Sequence, residues 1–165
     1  MKQIAKIEGC IMSKYTVEEV AAWFLAHGNR DISPKKLQKL VYYAYAWVLT
    51  LLNEDRDHLD NKLFDDHFEA WVHGPVILRL YAEYADYGFG SIDEKPDVPV
   101  FTEDVENVLE QVWDIYGKYS ANELESMTHQ EDPWINARKG LSPLQKGKNT
   151  ISDKDIFDYY IKQAG

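Results

Sequence analysis

The chain reads as a mainly α-helical single domain, on three observations. Apolar side chains recur every three or four residues in stretch after stretch, the spacing of a helix face. Residues that cap helix starts stand in front of those stretches, and Gly or Pro punctuates them. The composition, 45% hydrophobic with 5 Trp, 11 Tyr and 6 Phe among 165 residues, supplies a core and excludes a disordered chain. The length suits one domain. The expected architecture is a compact bundle of six or seven helices over residues 1–165, with a small β element.

Each element has its own signal. Thr16-Val17-Glu18-Glu19 has capping-box spacing, in which hydroxyl and carboxylate satisfy free amides. Val17, Val20, Ala21, Phe24 and Leu25 then form a stripe that Gly28 ends. Ser33-Pro34 starts the next helix, with Ser at the cap and Pro at the first helical position. Its stripe runs Leu37, Leu40, Val41, Ala44, Val48 and Leu51, while Tyr42, Tyr43, Tyr45 and Trp47 carry aromatic character round the other sides. A helix apolar on most sides is the central one; this one should end near Asn53. Residues 54–62 are polar and form a loop. Phe68, Ala70 and Val72 alternate with His67, Glu69 and Trp71, the pattern of a short extended segment. Gly74-Pro75 is expected to break it and begin a third helix, which carries Val76, Leu80, Tyr84 and Tyr87 and ends at Gly88 and Gly90. Pro96 and Pro99 make residues 91–101 extended.

Thr102 opens a fourth helix, with Asp104 and Glu106 near its positive end. Ser120-Ala121-Asn122-Glu123 is a second capping box. Pro133 starts a short helix carrying Trp134 and Arg138, with Asp132 as the expected cap and Gly140 as its close. Residues 141–150 read as a loop, and Ser152 caps a last helix with Ile156, Phe157, Tyr160 and Ile161 inward.

Charge is unevenly placed. The net charge is −10, and residues 51–132 hold 21 acidic against 5 basic side chains. That balance argues against nucleic acid as the main partner, because phosphate binding needs Lys/Arg clusters. The acidic middle suits either a solvated surface or attraction of a basic protein. The single cysteine, Cys10, excludes an intramolecular disulfide and suits a reducing compartment. The N-terminal residues lack the apolar stretch of a signal peptide, and the run from Val41 to Leu52 is shorter than the roughly 20 residues that span a bilayer. The expectation is a soluble, cytoplasmic protein with no membrane partner.

Chemistry-bearing motifs are sparse. His67 and His73 are isolated from His27, His58 and His129 in sequence, and no HExxH is present. No phosphate-binding glycine loop and no nucleophile elbow occurs. The reading is therefore a non-enzyme with no cofactor and no metal, a small metal-dependent hydrolase using His73 and His129 being the weakest alternative. Two constellations are more specific. Glu69-Ala70-Trp71-Val72-His73-Gly74-Pro75-Val76 forms a corner, in which His73 was expected beside the positive end of the third helix. Thr128-His129-Gln130-Glu131-Asp132-Pro133-Trp134 forms another, with Arg138 one turn on and within reach of Glu131 or Asp132. Both suit either a structural corner or a recognition surface.

Together with Lys36-Leu37-Gln38-Lys39-Leu40-Val41-Tyr42-Tyr43-Ala44, Leu80-Tyr81, Tyr87-Gly88, Ser120 to Leu124 and Ala137-Arg138, these blocks resemble the Panacea domain family. That family includes SocA-type antitoxins and GepA-like phage-associated proteins. The ordered likeness runs from about Val17 to Ile161. It departs at Tyr45-Ala46, where the family often carries a Gln-Gly-like polar pair. The resemblance implies a bacterial or prophage antitoxin of a toxin–antitoxin system, which neutralises a toxin encoded by an adjacent gene by direct protein binding. The alternative it implies is a proteolytic adaptor that delivers the toxin to a ClpXP-type protease. The residues that carry the pattern, and so the candidate partner-binding set, are Gln38, Lys39, Tyr42, Trp71, His73, Trp134 and Arg138.

Overall fold

A computed structural model describes residues 14–28 and 31–165; Cys10 lies outside them. Helix α1 (Val17–His27) starts at Thr16, whose hydroxyl accepts from the Glu19 amide while the Glu19 carboxylate accepts from the Thr16 amide. Such a box stabilises a helix start by about 1 kcal/mol. Gly28 ends the helix by donating to the Phe24 carbonyl.

Helix α2 (Pro34–Leu51) opens at Ser33, which accepts from the Lys36 amide, with Pro34 first in the helix. Every residue from Lys36 to Leu51 is buried, so α2 is the central helix its all-round apolar character predicted. It packs on α1, on α4 (Glu103–Tyr116), on α5 (Ala121–Thr128) and on α7 (Asp153–Ile161). The core between them is aromatic: Tyr43 stacks on Tyr116 at 3.9 Å, and Trp47 meets Tyr160 edge-on at 5.2 Å. The Trp47 indole donates to the Tyr116 hydroxyl at 3.0 Å.

Among the described residues there are seven α-helices and one two-stranded sheet. The sheet pairs β1 (Glu69–Trp71) with β2 (Gly74–Val76), antiparallel, with Trp71 opposite Gly74. Helix α3 (Leu78–Tyr84) follows and runs into a single 3₁₀ turn at Ala85–Tyr87. No described helix is long and apolar enough to cross a membrane.

Two sequence expectations change here. Gly74-Pro75 does not begin a helix but forms β2, and α3 starts at Leu78. The reason is the turn Val72-His73: Gly74, at φ +104°, reverses the chain so that Pro75 and Val76 return along β1. His73 therefore sits at a hairpin tip, not beside a helix start. Asp132 is also not a cap: it is the first residue of α6 (Asp132–Ala137), behind Glu131, which makes no side-chain capping bond.

Candidate functional site

The two constellations singled out in the sequence form one unit around the β1–β2 hairpin. From α2, the Gln38 amide clasps Ile77: its Nε2 donates to the Ile77 carbonyl at 3.0 Å and its Oε1 accepts from the Ile77 amide at 2.9 Å. Lys39 Nζ donates to the Pro75 carbonyl at 3.1 Å. From α6, Trp134 Nε1 donates to the Trp71 carbonyl, and Arg138 Nη1 to the Ala70 carbonyl, both at 2.8 Å. Four side chains from two helices thus grip the main chain of both strands and the residue after them. A short hairpin is marginal alone; here its backbone groups are satisfied by buried donors.

The close approach explains Gly74. A Cβ there would lie 2.7 Å from Lys39 Cε and 3.0 Å from Thr128 Oγ1. Lys39 is fully buried, and burial lowers its pKa to about 7, against the pull of Glu125 in the other direction. Glu125 itself sits below the ordinary carboxylate range: its partial burial works against this, but bonds from Lys35 and His73 prevail. The His73 ring nitrogen Nδ1 is 3.1 Å from Glu125 Oε1, and that ring is largely exposed.

Arg138 does a second job. Its Nη2 reaches the carbonyls of Ser142 and Gln145, so one buried guanidinium joins β1 to the loop that follows α6. It does not pair with Glu131 or Asp132, the partners its spacing suggested. Glu131 is buried and accepts from the Tyr160 hydroxyl at 2.6 Å and the Tyr43 hydroxyl at 3.0 Å. Burial pushes its pKa up to about 7 against those two bonds. The Trp134 indole stacks on His129 at 4.1 Å and lies under Arg138 at 5.2 Å. Burial lowers the His129 pKa, and its Nε2 has no partner among the described residues.

Of the seven residues chosen from sequence, Gln38, Lys39, Tyr42 and Arg138 are buried. Tyr42 lies in the aromatic core edge-on to Phe68 at 5.1 Å. Of the other three, His73 is exposed and Trp71 and Trp134 are half-buried, while Gln38, Lys39 and Arg138 bond to the hairpin and Ile77 from beneath. The sequence reading did not select Lys35, Glu125, Leu144, Lys146 or Lys148. For the last three a signal existed: residues 138–148 carry four basic and no acidic side chains in a chain of net charge −10. Beside the hairpin, Trp71, Val72 and His73 face Leu144, Lys146 and Lys148 across a groove of about 540 Å³. No group of three or more His, Cys, Asp or Glu side chains able to hold a metal occurs among the described residues.

A protein-family comparison matches residues 37–135, more than half of the chain, to the family described as "Antitoxin SocA-like, Panacea domain". The matched span contains the hairpin, α2 from Leu37 onward and Trp134, and it stops just before Arg138. No curated protein and no solved structure matches the chain.

Proposed function

The chain belongs to the SocA-like Panacea antitoxin family, and from that premise we propose that it neutralises a toxin protein by binding it directly. The family supports an antitoxin-like role and a protein partner. The observation that carries the finer reading is the hairpin. Gln38 and Lys39 of α2, Trp134 of α6 and Arg138 just after it fix its main chain, while His73 is exposed and Trp71 half-exposed at its tip. Rigid elements that present aromatic anchors bind proteins at low entropic cost. Docking there would cover the toxin's active surface or hold it inactive, with no chemistry required of this chain.

The test is co-expression with the protein encoded beside it. Growth arrest by that protein alone, relief by this chain and co-purification of the two are the expected results. A neighbour that is harmless by itself contradicts the reading. The partner's half-life, with and without a ClpXP-type protease, separates the two modes: an unchanged half-life leaves plain inhibition, and a protease-dependent shortening makes the chain an adaptor.

A further inference from the structure

The groove beside the hairpin has a geometry and a charge of its own. Residues 149–151 run antiparallel to β1: the Ala70 amide donates to the Asn149 carbonyl, the Ile151 amide to the Phe68 carbonyl, and Glu69 bridges Thr150. Beyond Ala70 no main-chain bond joins the two segments. Trp71, Val72 and His73 diverge there from Leu144, Lys146 and Lys148, and the groove opens between them. Arg138 pins the far wall through Gln145 and Ser142. Gly147 lets that wall pass close over it, since a Cβ would lie 3.1 Å from Arg138 Nη1 and 2.6 Å from Leu141 Cδ1. Both walls are therefore fixed from beneath.

The floor is apolar and the far rim is basic. Leu144 is 85% exposed; what singles it out is that it shares the groove with Trp71 and Val72. Lys146 and Lys148, both exposed, line the same groove. Neither forms an ion pair among the described residues, whereas Lys35 and Lys62 each hold a carboxylate. Of the carboxylates near the hairpin, Glu125 is neutralised by Lys35, whereas Glu69 accepts from the neutral Trp71 indole and keeps its charge, which the two lysines outnumber. The result is a locally positive, aromatic-walled slot on a protein whose net charge is −10.

We infer that this slot takes an extended acidic segment of the toxin partner, with one apolar side chain seated between Trp71 and Leu144 and carboxylates on Lys146 and Lys148. The inference rests on the antitoxin reading and names the part of the partner that is recognised. Charge decides the choice: the rest of the chain repels an acidic segment, so this slot is where it lands, and like-charge repulsion elsewhere sharpens the register.

The probe is the toxin that passes the growth test, titrated calorimetrically against four forms of this chain at low and at moderate salt. These are the wild type, K146E/K148E, L144S and the control K95E/K118E, which changes the net charge equally at exposed positions outside the slot. The expected result is at least about tenfold weaker binding for K146E/K148E at low salt, with a flattened salt dependence, and a comparable loss for L144S. The control should stay within about threefold of wild type. A photo-crosslinker at position 144 should capture an acidic stretch of the toxin. Equal weakening by both double variants, an unaffected L144S, or capture of a stretch without Asp or Glu overturns the slot while leaving the antitoxin reading intact. A wild-type chain that does not bind its neighbour at all overturns both. If the chain alone is a dimer that K146E/K148E dissociates, the occupant is a second copy and the inference fails.

Discussion

Two buried ionisable residues, Lys39 and Glu131, set the chemistry of this interior, and they titrate in opposite senses. Glu131 has a folded pKa raised to about 7. Between its ordinary value and 7 the folded state holds a proton that the unfolded chain has lost, so stability falls as pH rises through that window. Lys39 has a folded pKa lowered to about 7. Between 7 and its ordinary value the unfolded chain holds the extra proton, so stability rises with pH there. Taken by themselves these two groups contribute least near neutrality, while Glu125 and His129, whose pKa values are lowered, add stability as pH rises through their own acid windows. Urea titrations across pH should show this, with each limb approaching about 1.4 kcal/mol per pH unit at most. Glu131→Gln should flatten the acidic limb alone, and Lys39→Met the alkaline limb alone. An acidic limb unchanged in Glu131→Gln, and an alkaline limb unchanged in Lys39→Met, contradict the two assignments. Lys39 was legible as part of a sequence pattern but not as buried, because a lysine on a helix normally snorkels to water. Glu131 stood in one of the two constellations as a partner for Arg138, but nothing local pointed to its burial, since the Tyr43 and Tyr160 that bind it lie 88 and 29 residues away.

At the scale of elements, the hairpin depends on its clamps. Arg138 serves three carbonyls, and each bond to a charged donor is worth about 1.5–3 kcal/mol. Arg138→Ala should cost at least about 3 kcal/mol in thermal unfolding. Arg138→Lys should recover little of it, because an ammonium cannot fork to two segments at once. A near-wild-type melting temperature for the lysine variant contradicts the clamp. Gly74→Ala should cost about 1–3 kcal/mol, from its positive φ and the contact with Lys39; a loss within the usual surface range of half a kcal/mol would show that the turn relaxes freely. The helix boundaries were legible because capping chemistry is local: Thr16, Ser33, Ser120 and Ser152 all cap as their spacing says. Alternation shows the residues of β1 as extended, but local pattern makes Gly74-Pro75 a helix start where the structure has β2. A Gly-Pro pair opens a helix or turns a strand equally well, and what decides is a register with Glu69–Trp71 that local pattern does not contain.

Across the whole molecule, the central helix does two things at once. Its aromatic faces hold the core against α4 and α7, and Gln38 and Lys39 on its first turns hold the hairpin. The sequence showed that helix plainly, as a run apolar on nearly every side. What it did not show is burial: of the seven candidate positions, Gln38, Lys39, Tyr42 and Arg138 lie inside. The groove wall was read as plain loop because a strap bound by a distant arginine has no periodicity.

The most direct test of this account is hydrogen–deuterium exchange on the chain alone and with the proposed toxin partner bound. The hairpin tip at residues 71–73 and the strap at 144–148 should gain protection on binding, while α2, already buried, stays unchanged. Protection confined to the opposite side of the bundle, with the tip and strap exchanging as in the free chain, would contradict the claim that this clamped hairpin is the face the partner meets.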